Sequence, residues 1–392
     1  MTVLLSASMA LLNIFVVVQA SSTFHNCTDD LGNKGHCTLV SECPSLAPLI
    51  DPSLIAIPEI STRLKNALTC PQVLVSIRQK NWNGGMHVVE QVCCPIIEDP
   101  VKHPAFNQFH KLQKQCGVIL FPQIFGGEGV VEGQYPWSVG ISFWRYEISP
   151  EPNREILPSD FLCGGSLISN NFVMTAAHCV IDPNGKDRII WRLRIGTSTL
   201  INEEGTETGV NIICLKKCKT IVHPKYSPIV ENDIALIKLP PNAEVSETPI
   251  CLPFFNNPIK NKRMNRPTEK LLAIGFGKTK NGQFSNTLNE VKLPRTSRRR
   301  CENYLTWHGM KASQLSTFIC AGGEKDQDTC NGDSGGPLME VREGAFYAVG
   351  ITSFSGKFCA KYGEISAYVS VYSYLPWILD HWWLNHVANS TV

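Results

Sequence analysis

Hydrophobic positions along this chain fall into three patterns. Residues 3–19 form one apolar, uncharged run interrupted only by Ser6, Ser8, Asn13 and Gln19. Small residues follow at Val18-Gln19-Ala20, so residues 1–20 read as a cleaved secretory signal peptide. Far downstream, short β-rich apolar runs at 137–143, 172–175, 234–238, 271–274 and 349–353 are separated by turn residues. Short strands at that spacing predict an all-β barrel or sandwich. Only the tail, 373–386, reads as a helix. Ser373 is placed to cap it, Pro376 sits in its first turn, and Trp377, Ile378 and Leu384 supply an apolar face. Neither an internal repeat nor a low-complexity tract interrupts this order.

Composition narrows the class. The chain has 392 residues, 43% of them hydrophobic, and a formal net charge of +2. That balance gives no electrostatic basis for a nucleic-acid partner. After the leader, no stretch has the roughly 18 uncharged apolar residues a membrane helix needs, so no membrane partner is expected. The 16 cysteines point to an oxidising, extracellular compartment. Asn26-Cys27-Thr28 and Asn389-Ser390-Thr391 are glycosylation sequons, making Asn26 and Asn389 candidate glycan sites.

Cysteine spacing sets the domains. Cys27, Cys37, Cys43, Cys70 and the adjacent Cys93-Cys94 form a first cluster, and ten more begin at Cys116. The segment between, from Pro95 to Gln115, reads as a linker. So small a first domain has a marginal core of its own, and disulfides are expected to stabilise it. A zinc site there is the competing reading, and the spacings lack the C-x₂-C pair it needs.

Three short strings carry chemistry. Thr175-Ala176-Ala177-His178-Cys179 sets a histidine beside a cysteine. Asn232-Asp233-Ile234-Ala235-Leu236 sets an acid at the start of an apolar strand. Cys330-Asn331-Gly332-Asp333-Ser334-Gly335-Gly336-Pro337 sets a serine in a glycine-rich turn. A serine hydroxyl is a poor nucleophile at neutral pH and needs a base, and the base needs an orienting carboxylate. In this chain order the strings resemble those of the chymotrypsin-like serine proteases, over roughly residues 124–388.

That resemblance implies a double β-barrel with a C-terminal helix and a serine-type endopeptidase activity. It implies His178, Asp233 and Ser334 as catalytic residues, with the amides of Gly332 and Ser334 as the oxyanion hole. It places Asp328, Ser353, Ser355 and Ser366 in the substrate site, Ser353 supporting Asp233 from behind. It pairs Cys163 with Cys179, Cys301 with Cys320, Cys330 with Cys359 and Cys116 with Cys251, leaving Cys214 and Cys218 to close a small loop. Activation would cut the Gln123–Ile124 bond, and the new Ile124 ammonium would pair with Asp333.

The six-cysteine cluster ending in Cys93-Cys94, followed by a linker and this protease domain, resembles the clip domain of arthropod clip-domain serine proteases. That family implies the pairs Cys27–Cys93, Cys37–Cys70 and Cys43–Cys94, with the knot binding partners. The resulting division is signal peptide 1–20, clip domain 27–94, linker and activation segment 95–123, and trypsin-like domain 124–392. The implied role is a secreted zymogen that cleaves a proprotein after Arg or Lys in an extracellular immune or developmental cascade. Its partners would be proprotein substrates, an upstream activating protease and serpin-type inhibitors, with no cofactor. The other reading is an adaptor that binds cascade partners with little proteolysis. A protease inhibitor would have no use for the triad.

Four positions depart from the family pattern. Gln123 stands where Arg or Lys usually precedes the cut. Ser355 and Ser366 stand where trypsin-like pockets usually have glycine, so both narrow the slot above Asp328. Thr197 replaces the acid that opens the family's calcium loop, so Glu203, Glu204 and Glu207 read as solvated surface charge with no metal expected, calcium binding by the three being the other reading. Arg298-Arg299-Arg300 reads as an exposed loop.

Overall fold

The computed structural model describes isolated stretches between residues 4 and 103, and most of the chain from 105 to 390. The segments 120–129, 145–156, 202–208, 215–216, 229–230, 255–269 and 356–360 are among those outside the description. Two compact units emerge, residues 1–106 with 376–392, and residues 107–375.

Among the described residues, the first unit holds seven strands: β1 (Leu4–Leu5), β2 (Ile14–Val17), β3 (Asn26–Thr28), β4 (Lys34–Leu39), β5 (Val73–Gln79), β6 (Met86–Val89) and β7 (Gln91–Pro95). A three-stranded sheet of order β3-β4-β7 is stapled by Cys27–Cys93 and Cys37–Cys70. Those four cysteines pack on one another, so disulfide sulfur forms the hydrophobic centre of this sheet. A second sheet has order β1-β2-β5-β6. It includes Ile14–Val17 of the expected leader, a β-branched and aromatic run with strand propensity.

The tail corrects the expected helix start. Ser373 lies inside a 3₁₀ turn, Val371–Tyr374, and the α-helix runs Leu375–Ser390. The turn satisfies the backbone there, so Ser373 does not cap the helix. Within the first unit, Asp380 of this helix meets buried His103 at 3.1 Å.

In the second unit, seven strands form one antiparallel sheet: β8 (Ser138–Phe143), β9 (Phe161–Ser169), β10 (Phe172–Thr175), β11 (Ile190–Ile195), β12 (Val210–Ile213), β13 (Lys219–Val222) and β14 (Ala235–Lys238). Six form another: β15 (Lys270–Gly275), β16 (Asn289–Pro294), β17 (Phe318–Gly322), β18 (Pro337–Arg342), β19 (Ala345–Phe354) and β20 (Ile365–Ser370). Their orders are β12-β11-β8-β9-β10-β14-β13 and β16-β15-β18-β19-β20-β17, two curled half-barrels. Every predicted apolar run lies on one of these strands. The core of the second sheet gathers Leu271, Leu293, Leu338, Val349 and Tyr368. Buried serines on β8 are tolerated because Ser142 Oγ exchanges hydrogen bonds with the backbone of Arg192.

Two segments expected to be irregular are ordered. Arg298-Arg299-Arg300 opens a helix, Arg298–Trp307, rather than a loop. Only Cys301 and Leu305 are buried on it, so its apolar signal is one i, i+4 pair. Cys301–Cys320 anchors it, and Arg298 pairs with Glu302 at 2.7 Å. The linker also carries a helix, Phe106–Leu112. Buried Phe109 meets Phe254 edge-on at 5.8 Å. Gln113 donates to the carbonyls of Ile168 and Ile250 and accepts from the Leu252 amide. Cys116–Cys251 closes this segment covalently.

Candidate active site

The first sheet positions a histidine and an acid. β10 ends at Thr175, and one helical turn, Ala177–Val180, carries His178. Cys163–Cys179 ties that turn back to β9. Asp233 is delivered to β14 by Asn232, which takes a left-handed φ of 51°. Asparagine tolerates that conformation, and its side chain is pinned on both sides. It donates to Lys225 O at 2.8 Å and accepts from Tyr374 Oη at 3.1 Å.

Asp233 has no solvent exposure and is saturated with donors. His178 N and Nδ1 lie 2.9 and 2.8 Å from its two oxygens, and Ser353 Oγ donates at 2.6 Å. Burial pushes the Asp233 carboxyl up, but the charge and hydrogen bonds of His178 with the Ser353 bond outweigh it, so its pKa falls. For His178, burial is the largest effect and disfavours the imidazolium. The charge and hydrogen bond of Asp233 overcome it, and the net pKa is raised while Arg188 pulls the other way.

The second sheet supplies the serine turn. Gly332 and Gly335 have φ of 102° and 80°, conformations that suit glycine. A Cβ on Gly335 would also collide with Thr175 Oγ1, and one on Gly332 would lie 2.9 Å from Gly277 Cα. Ser334 O accepts from Gly164 N at 2.7 Å. Cys179 Sγ stands 3.5 Å from that oxygen and 3.9 Å from His178 Nε2, setting serine and histidine on either side of the disulfide. No hydrogen bond joins Ser334 to His178 among the described residues. Among the described residues, the amides of Gly332 and Ser334 have no protein acceptor.

Asp333 lies partly buried in the same turn. Its carboxylate accepts from the amides of Gly277 and Cys330, each at 2.8 Å. Gly275 and Gly277 leave the space it fills, since a Cβ on either would overlap the carboxylate. Burial pushes its pKa up to about 6, against the pull of the two amides, and the nearby Asp328 charge adds to the rise. Sequence reasoning passed over these two glycines and Thr175. The Gly275-Phe276-Gly277 spacing was the available signal.

Asp328 is partly buried. Ser366, completely buried on β20, donates to Asp328 Oδ1 at 2.5 Å, and the Thr329 amide reaches the same oxygen at 2.8 Å. Behind them Thr329 Oγ1 and Tyr368 Oη are 2.9 Å apart. Ser355 follows β19 immediately and is half-buried. Cys214–Cys218 closes a loop beyond β12. Gln123, Ile124, Cys359 and the acids at 203, 204 and 207 lie outside the described residues, as do the side chains of Asn26, Cys94 and Asn389. Cys43 and Cys330 are disulfide-bonded.

Known proteins share this arrangement. The trypsin family model matches residues 124–378. The CLIP domain-containing serine protease B14 of Anopheles gambiae is 31% identical over 90% of this chain and 90% of its own length. Phenoloxidase-activating factor 3 of Holotrichia diomphalia is 30% identical over 95% and 97%. The crystal structure of the Drosophila Grass clip serine protease of the Toll pathway superposes with a TM-score of 0.59 at 24% identity, covering 93% of this chain and 99% of that one. With its two curled sheets and a trypsin match over most of its length, the chain belongs to the trypsin family of serine-type endopeptidases, among the clip-domain serine proteases.

Proposed function

We propose that the chain is a secreted zymogen whose catalytic residues are His178, Asp233 and Ser334. It would cleave a proprotein substrate in an extracellular cascade. The observation that carries the reading is the saturated Asp233, held by the backbone amide and Nδ1 of His178 and by Ser353. A carboxylate so fixed holds the His178 tautomer with Nε2 free to take a proton. Ser334 attacks the scissile carbonyl, His178 accepts its proton, and the unused Gly332 and Ser334 amides receive the oxyanion. His178 then protonates the leaving amine. Water repeats the sequence on the acyl-enzyme, returning Ser334.

Activation would follow cleavage of Gln123–Ile124. Among the described residues Asp333 has two amide donors and no cation, and burial together with the Asp328 charge raises its pKa. The Ile124 ammonium would supply the charge, and the paired carboxylate would draw the Ser334 turn into its working form. Cys116–Cys251 would keep the N-terminal fragment attached. The division into signal peptide 1–20, clip domain 27–94, linker 95–123 and protease domain 124–392 belongs to this reading. So do the disulfides Cys43–Cys94 and Cys330–Cys359, glycans at Asn26 and Asn389, an upstream activator and serpin-type inhibitors.

Asp328 would bind a substrate Arg or Lys, with Ser355 and Ser366 narrowing the slot. A second reading, an adaptor of low activity, gains support from Ser366, whose hydroxyl already engages Asp328, and from Gln123 before the cut. The discriminating experiment places a recognition sequence ending in Arg before Ile124, cuts there, and assays peptides ending in Arg, Lys and Phe. Turnover that vanishes in Ser334→Ala and moves away from Arg in Asp328→Ser is the expected outcome. No turnover of any peptide would favour the adaptor.

A further inference from the structure

Arg188 is an unusual neighbour for a catalytic histidine. It closes a hairpin that grows out of the His178 turn, with Ile181 bridged to Asp187 and Arg188 N bonded to Val180 O at 2.7 Å. Its guanidinium carbon lies 5.7 Å from the Phe143 ring centroid on β8. The side chain is half-buried, its Nε is inaccessible and makes no hydrogen bond, and no carboxylate pairs with it among the described residues. Its charge is felt at His178 and at the Tyr226 hydroxyl. The acids of its own hairpin are otherwise placed. Asp182 accepts from the Asn184 and Lys186 amides, and Asp187 is exposed. Asp233, the buried acid nearby, is committed to His178 and Ser353.

A half-buried guanidinium with no carboxylate partner among the described residues is suited to a carboxylate brought by a ligand. Which part of the substrate brings it follows from the layout. The acyl side chain enters the slot built from the second sheet, at Asp328, Ser355 and Ser366. The leaving nitrogen must lie against His178, on the first sheet. Residues after the scissile bond therefore run past the His178 turn and the hairpin behind it, where Arg188 stands.

We propose that Arg188 determines specificity by binding an acidic side chain of the substrate within the first few positions after the cut. The inference rests on the triad reading above. It names a recognition element on the leaving side, separate from the Asp328 slot. Binding such an acid would also neutralise the charge that opposes His178 protonation.

The test uses the chain cut before Ile124 and pairs of peptides identical except for Asp or Asn at the first, second or third position after the cut. An arylamide with no residues beyond the scissile bond serves as control. The expected result is an Asp-over-Asn ratio in kcat/KM of about tenfold at low salt, shrinking as salt screens the charge. Arg188→Gln should bring the ratio near one, and Arg188→Glu should invert it. A ratio that is near one in the parent enzyme, or that survives both substitutions, would overturn the proposal. So would an acidic preference that maps before the cut. If the parent enzyme fails on the arylamide as well, the triad reading falls and the proposal falls with it.

Discussion

The two halves of the candidate site differ in how finished they are. On the first sheet, the Asp233 oxygens receive the backbone amide and Nδ1 of His178 and the Ser353 hydroxyl, and the buried charge is compensated. On the second, Asp333 is partly buried and, among the described residues, accepts from two amides alone, and the Gly332 and Ser334 amides have no protein acceptor there. Burial acts on both acids in the same direction, and the partners decide the sign. His178 and Ser353 bring the Asp233 pKa below its ordinary value, whereas Asp333 rises to about 6. One half is a completed device. The other is short of one positive charge, which is what a zymogen awaiting a new N-terminus would need.

The largest way to break this contrast is at Asp233. Asp233→Asn in the cut enzyme should lower kcat by about 10⁴-fold through the wrong His178 tautomer, with little change in the thermal midpoint, measured by peptide hydrolysis. The second acts on Asp333 in the uncut chain. Its folded pKa of about 6 lies above the ordinary 3.8. Its contribution to stability is therefore complete below pH 3.8 and lost as pH rises through 6. Asp333→Asn lacks that loss, so its stability relative to the parent should rise by about 2 kcal/mol between pH 4 and 7 in urea melts. After the cut before Ile124 the sign should reverse, because the parent carboxylate then has a cation.

Smaller effects sharpen the comparison. Ser366→Gly removes the hydroxyl that engages Asp328 and should raise kcat/KM for Arg-ended peptides by about tenfold. Ser353→Ala removes one of the donors to Asp233 and should lower kcat a few-fold. It should also weaken the hold on the carboxylate, so the Asp233 pKa should rise, visible as a shift in the acid limb of the pH–rate profile.

Legibility followed the density of local signal. The strings around His178, Asp233 and Ser334 are read directly because each packs a reactive residue among glycines, a cysteine or a strand. The predicted runs at 172–175 and 234–238 became strands because their apolar residues are buried in the first sheet. Arg298–Trp307 was missed because its buried face is only Cys301 and Leu305 among arginines and polar residues. The linker helix was missed because Phe109 and Gln113 gain their meaning from Phe254, Ile168 and Ile250, far away in sequence. Arg188 gives no sequence signal at all. Its interest arises from the lack of a carboxylate partner among the described residues.

The measurement closest to the central claim is fluorophosphonate labelling of Ser334 before and after cleavage immediately ahead of Ile124. The account predicts slow labelling of the uncut chain, a rise of at least about a hundredfold after the cut, and loss of that rise in Asp333→Asn. Equal labelling of the two forms, or none after the cut, would contradict it.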